Sequence, residues 1–340
     1  MRRFVASLII VFLLLPMMAY SVERVGTTVF QVLKLNVGVR GIGMGNAFIA
    51  GAQDVTSIYW NPAGLAWMSR PEAMLSHINL PADVNYDVIG SAFPSSFGTF
   101  AISAGVLHMD DMIVRTPAMP DGTGEMFTAS DIVLSLSYSR ALSTLFSFGV
   151  SAKYVREELY EYTSQSVVFD AGLSYQTGFR SMKLAMVISN FGPDATFDGD
   201  FRDWRTVSGE VTGEPAVESF ERHLMPMSFR VGVFADMENI TGLSMGENFN
   251  GNLALQFEHP SDVAERMNAG AEFWFQNLIA FRGGYNINYD TESFTFGLGV
   301  KQEFGNYMLK FDYAYASFGD LTDTSSLMNQ PHRFSIGFQF

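Results

Sequence analysis

The chain of 340 residues contains no cysteine. That absence excludes a disulfide framework, a thiolate metal site and an N-terminal lipid anchor on cysteine. Past residue 21 no run of eighteen apolar residues occurs, which excludes an ordinary helical membrane protein. Charge is also sparse: only 16% of residues are charged, and 21 Lys and Arg stand against 35 Asp and Glu. With a net charge of −14 the chain offers no basic surface for nucleic-acid phosphates. Catalytic signatures are missing as well. His77, His108, His223, His259 and His332 fall in no HExxH or HxH spacing, and there is no GxSxG and no Walker loop. Asp194, Asp198, Asp200 and Asp203 lack the spacing, glycine and terminal glutamate of a calcium loop. No enzyme activity, cofactor or metal is therefore expected.

What the chain does contain is a period of two. In Asp131–Arg140 the residues Ile132, Leu134, Leu136 and Tyr138 alternate with Val133, Ser135, Ser137 and Ser139. The same alternation runs through Phe146–Tyr154, Phe169–Gln176, Phe294–Lys301 and Leu309–Tyr315. Fourteen such segments are expected, centred near 76, 89, 102, 135, 150, 171, 185, 230, 254, 271, 283, 298, 311 and 336. Tight turns near 94–97, 140–145, 177–180, 276–278 and 304–306 alternate with longer loops at 108–129, 157–166, 191–225 and 316–331. Short turns at one end and long loops at the other fit an up-and-down transmembrane barrel. The connection 236–249 is too long for that rhythm. A soluble β-sandwich would also alternate, but would place charge rather than Phe, Tyr and Leu on its outer face. The expectation is an all-β, antiparallel transmembrane barrel of about 14 strands over residues 72–340, in contact with outer-membrane lipid.

Both ends of the sequence agree with export to an outer membrane. Arg2 and Arg3, the apolar run Phe4 to Met18, and Ala19 and Ser21 predict a signal peptide over 1–21. At the other end Phe334, Ile336, Phe338 and the terminal Phe340 share one face, and an aromatic terminus resembles the signal read by the outer-membrane assembly machinery.

Between the leader and the first strand lies a segment, 22–71, rich in small residues. A barrel of this width has more interior than its own wall can fill. Glycines at 38, 41, 43, 45 and 51 allow close approach to a wall, and Val39, Ile42, Met44, Phe48 and Ile49 suit a small core. Asn61-Pro62 fixes a turn. A flexible linker is the alternative, but Trp60, Trp67, Phe48 and Ile58 favour an ordered plug that starts from the periplasmic side.

This segment, GVRGIGMGNAFIAGAQDVTSIYWNPAGLA, is similar to the N-terminal signature of the PorV/PorQ family of outer-membrane proteins, within the FadL-like transporter superfamily. The match rests on Gly43, Met44, Gly45, Ala47, Phe48, Asp54 and the run Tyr59 to Leu65, including Trp60, Asn61, Pro62 and Gly64. Asn46 stands where a glycine is usual, and Gln53-Asp54 where an acidic pair is. The resemblance implies a FadL-like barrel whose N-terminal segment is a hatch. Its PorV branch implies binding and shuttling of secreted proteins with C-terminal signal domains in type IX secretion. The FadL branch implies passive transport of fatty acids or other hydrophobic molecules.

Inward-facing charges are the remaining candidates: Lys153, Asp170, Arg230, Glu272, Arg282, Lys301, Lys310 and Asp312. Mixed signs on neighbouring strands suit salt bridges that hold the plug or stiffen the wall. Arg230, Arg282 or Lys301 could instead meet a ligand carboxylate. Loop 191–225 carries Phe197, Phe201 and Trp204 among many acids and reads either as a self-packed cap or as a docking surface.

Overall fold

The computed structural model describes residues 26–340, apart from 116–118, 204–205, 208–209, 212–215, 243, 290–292 and 318–331. The predicted signal peptide and Trp204 lie outside the described residues.

Each alternating segment forms a strand. In order they are β1 Glu72–Asn79, β2 Asn85–Ser95, β3 Gly98–His108, β4 Ala129–Ala141, β5 Phe146–Leu159, β6 Tyr162–Gln176 and β7 Lys183–Phe191. The second half is β8 Ser228–Asp236, β9 Phe249–Pro260, β10 Arg266–Phe275, β11 Ile279–Ile287, β12 Phe294–Phe304, β13 Tyr307–Ala316 and β14 His332–Gln339. Every strand pairs antiparallel with its sequence neighbour, and β14 returns to β1 with Glu72 opposite Gln339, closing a 14-strand barrel. Closure leaves no row of unpaired N–H and C=O groups to face hydrocarbon.

The faces follow the sequence parity. Leu134 and Leu136 of β4 are exposed while Val133, Ser135 and Ser137 are buried, and Phe296 and Leu298 of β12 face out opposite buried Thr295. An apolar outside over a polar inside matches a lipid environment. Aromatic pairs band both ends, with Phe100 against Tyr138 and Tyr307 against Phe338 at the short-turn end and Tyr285 against Phe294 at the other.

Two connections differ from expectation. The loop expected at 157–166 is mostly strand: β5 stays paired to its last residue, with Leu159 opposite Ala129 of β4 and Tyr162 of β6, and only Tyr160 and Glu161 turn, because Glu157, Glu158 and Thr163 continue the ladder despite their polarity. The long connection at 236–249 is elaborated by a short helix, Met237–Thr241, capped by the Asp236 side chain accepting from the Asn239 N–H at 2.9 Å.

Candidate functional site

The N-terminal segment runs inside the wall, and it does not start where the sequence suggested. Its first described residues are at the long-loop end, where Thr28 bridges Leu224 and its hydroxyl donates to Asp262 at 2.8 Å. Lys34 also pairs with Asp262, and the Phe30 N–H donates to Glu157 at 2.9 Å. From there the chain descends the lumen to Pro71, whose carbonyl accepts from the Phe340 N–H at 3.1 Å at the short-turn end. The sequence could not reveal this direction, because the fixing partners lie 127 and 234 residues away.

Halfway down, two beds of small residues on nearly opposite walls seat the segment. On β10, β11 and β12 the inward glycines 270, 284 and 297 let the turn at Gly43–Gly45 touch the backbone of the sheet. Gly45 has φ +64, its N–H donates to the Thr295 hydroxyl at 2.9 Å, and that hydroxyl donates to the Gly43 carbonyl at 3.3 Å. Opposite, Ser139 and Ser147 both donate to the Ala63 carbonyl, at 3.2 and 2.9 Å, and Gly149 and Gly172 make room for Asn61 and Pro62.

Between these beds lies a buried apolar cluster. Val39, Ile42, Met44, Phe48 and Ile49 are buried with Trp60, and the Phe48 ring stands edge-on to Trp60 and to Phe234 of β8. Asn61 ties the cluster to the wall: its Oδ1 accepts from the Ala63 N–H at 3.0 Å, and its Nδ2 donates to the carbonyls of Ile49 and Leu173 at 3.2 and 3.1 Å. Asn61→Ala would strand two or more buried groups, each worth about 1–3 kcal/mol. We expect a fall in thermal stability of the segment, seen as faster amide exchange at 49–63 with the barrel intact. Unchanged exchange would contradict it. Asp54 has a local part, accepting from the Thr56 N–H at 3.0 Å and from its hydroxyl, with Arg40 4.0 Å away. Gly64 is fixed by closeness, since a Cβ there would lie 2.1 Å from the Ala52 carbonyl oxygen.

Below the cluster the charges form one network. Arg40 grips Glu272 with two bonds, at 2.8 and 2.6 Å; Arg282 donates to the same carboxylate at 2.7 Å and to Asp312 at 2.6 Å. Lys310 holds Glu72 at 2.9 Å. This network borders a cavity of about 290 Å³ at the short-turn end, in which Arg282 and Lys301 flank the Trp274 ring. Above the cluster a second cavity, of about 230 Å³, lies between residues 33–37, Tyr59, Trp60 and the wall, and Arg230 lines it. Its side is set by an irregularity between β6 and β7: Asn190 takes φ +61, its N–H donates to Asp170, and Lys153 binds both Asp170 at 2.6 Å and Asn190 at 3.0 Å.

The three candidate cations therefore do not converge. Arg230 lines the upper cavity, while Arg282 and Lys301 line the lower one, and Arg282 is engaged by two carboxylates. Arg266, Arg333 and Lys34 also line the upper cavity and escaped the sequence reading. Strand parity would have placed Arg266 on the face of Glu272, whereas nothing in the sequence marks Lys34.

Two other expectations meet the structure here. Phe197 and Phe201 both pack on Phe220, at 5.6 and 5.0 Å, and Phe220 on Tyr162, so these rings turn largely toward one another. His77 and His108, far apart in sequence, both contact Asp87 on the outer face, at 2.7 and 3.1 Å, because β1, β2 and β3 are adjacent.

No family model and no curated protein matches the chain. Solved structures do. The toluene transporter TbuX of Ralstonia pickettii aligns at 13% identity over 89% of this chain and 98% of its own, with a TM-score of 0.53. The Pseudomonas putida toluene transporter TodX gives 11%, 89%, 96% and 0.54, and a Pseudomonas aeruginosa FadL homologue 10%, 94%, 99% and 0.53. At these identities the likeness is one of fold: the chain has the 14-strand barrel of FadL-like outer-membrane transporters.

Proposed function

We propose that the protein is an integral outer-membrane channel that passes hydrophobic small molecules, and that its N-terminal segment, residues 22–71, is the hatch. The observation that carries this is the position of that segment, pinned across the lumen between one cavity toward the long loops and another toward the short turns. An open lumen would conduct solutes by size; a blocked one with cavities on both sides suits stepwise binding and release. Toluene transport by proteins of the same fold supports the choice of cargo. Fold neighbours that are transporters are in keeping with a non-enzymatic role. The long-loop end then faces outside and the short turns face the periplasm.

The test is uptake of labelled toluene and of a labelled long-chain fatty acid by cells of a porin-poor host expressing the protein. Uptake several-fold above the empty host is expected for at least one of them. Background uptake of both, with the protein folded in the outer membrane, would overturn the proposal.

The secretion reading has one observation of its own, the resemblance of Gly43–Leu65 to the PorV/PorQ signature. It requires exported proteins with a shared C-terminal domain to stay bound when the protein is purified from its native membrane in mild detergent. Mass spectrometry showing such cargo would favour it over transport.

A further inference from the structure

The two seats of the N-terminal segment close the lumen along the walls. Its middle is closed by a column of three side chains. Trp60 lines the upper cavity, the Phe48 ring stands edge-on to it with centroids 6.0 Å apart, and the Arg40 guanidinium lies 5.1 Å from the Phe48 centroid and lines the lower cavity. A molecule that passes between the cavities without unseating the segment must displace part of this column.

Two of its members are held fast. Arg40 is bound twice to Glu272. Phe48 is fully buried, edge-on to Phe234 as well, and so close to the backbone at Gly51 that a Cβ there would lie 3.0 Å from its ring. The Trp60 side chain is held by shape alone. Its Nε1 is buried with no acceptor among the described residues, although a buried indole N–H ordinarily finds one. An unmatched donor raises the energy of the closed position. The upper cavity gives the ring space to move into, and the Glu258 carboxylate and Ser189 hydroxyl on its wall are acceptors of the kind the N–H lacks where it stands.

The place the indole occupies is shaped by backbone. A Cβ on Gly38 would lie 2.6 Å from Nε1, and one on Gly41 2.6 Å from Cζ2. The ring therefore lies against two residues that present no side chain, and the slot is about as thin as the ring itself. Close-packed interiors yield little, so a saturated molecule of the same outline, which is thicker, does not fit such a slot.

Resting on the channel reading above, we propose that Trp60 is the gate of the channel and its selecting residue. The indole swings out of its slot toward the upper cavity, and the transported molecule passes through the space it leaves. Flat rings then pass in preference to saturated molecules of the same outline.

Trp60→Ala leaves that slot empty, and an apolar vacancy of ring size binds a free ring that matches it. The full-length variant in planar bilayers is expected to conduct at least several-fold more than the unaltered protein. Naphthalene or indole should return it to the closed level, and decalin, the saturated counterpart of naphthalene, should not. Gly41→Ala keeps the ring but takes away its slot, in a helical turn that accepts alanine. It should leak as well, and should add nothing in the Trp60→Ala background. Amide exchange at the two seats, residues 43–45 and 61–64, should stay slow in Gly41→Ala. Silence of both variants, equal closure by naphthalene and decalin, full additivity of the two leaks, or fast exchange at the seats of Gly41→Ala would overturn the proposal. Toluene uptake by the unaltered protein with both variants silent in bilayers would sink the gate and leave the channel standing. A leak plugged by naphthalene, with no uptake of any hydrophobic molecule by the unaltered protein, would sink the channel reading instead.

Discussion

Glu272→Ala is expected to free the N-terminal segment without opening the wall. Glu272 is fully buried and receives Arg40 through two bonds, Arg282 through one and the Asn252 amide at 3.2 Å. Removing it leaves Arg282 with Asp312, but leaves Arg40 with only Asp54, 4.0 Å away on its own segment. Breaking one side of a buried ion pair costs about 3–5 kcal/mol, because the surviving charge stays desolvated. Here the surviving charge sits on a segment seated in the lumen by non-covalent contacts rather than by ladder bonds, so the strain is relieved by moving that segment. We expect amide exchange at residues 38–48 to accelerate by about 100-fold or more, the equivalent of ~3 kcal/mol, while the strands stay protected. Currents across planar bilayers should rise in parallel. Arg40→Met gives the internal comparison. It removes the mobile charge but leaves Glu272 matched by Arg282, so its effect should be clearly smaller. Equal effects of the two changes, or exchange spreading first through β10 and β11, would show that Glu272 braces the wall rather than clasping the segment.

The wall was legible in the sequence because a strand in lipid writes its faces into alternate residues. Ile132, Leu134 and Leu136 had to be apolar and Ser135 and Ser137 did not, and no tertiary contact was needed to see it. The same parity placed Arg230, Arg282 and Lys301 inside. It could not give depth, and depth is what separates them. Arg230 comes third in a strand that starts at the long-loop end, while Lys301 lies late in one that ends at the short turns. Alternation also stops short of loops and lumen. Glu157 and Glu158 looked like loop residues because their charge interrupts the apolar alternation. Nothing local could pair Lys34 with Asp262 or Arg40 with Glu272, since those bonds span 228 and 232 residues. The bend at Asn190 is similarly silent, an asparagine tolerating φ > 0 in what reads as ordinary strand.

Gly284→Ala is expected to have a second large effect, reached by shape alone. A Cβ on Gly284 would lie 2.0 Å from the Gly45 nitrogen and 2.3 Å from its Cα. Neither atom can yield as a flexible side-chain tip could, since both belong to a backbone whose φ of +64 is already restricted. On the flanking strands a Cβ on Gly270 would lie 2.2 Å from the Met44 carbonyl oxygen and one on Gly297 3.1 Å from the Gly43 Cα, so the turn cannot slide sideways into free space. It has to lift from the wall, and lifting breaks the Gly45 bond to Thr295. The barrel itself has no reason to suffer, because alanine is an acceptable strand residue and its ladder bonds are untouched. We expect Gly284→Ala to assemble normally and stay resistant to SDS, yet to show frequent channel openings and about tenfold or greater entry of small solutes into proteoliposomes. Its neighbour supplies the control. Gly283 points to the outside, with nothing within 4 Å of a Cβ placed there, so Gly283→Ala should behave as the unaltered protein. If both substitutions are silent, the segment is not the barrier to passage. If both open the pore, the effect comes from strand stiffness in β11 and not from the seat of Gly45. Only the asymmetric result assigns the barrier to the contact between the Gly43–Gly45 turn and the glycine bed, where two backbones touch with no side chain between them.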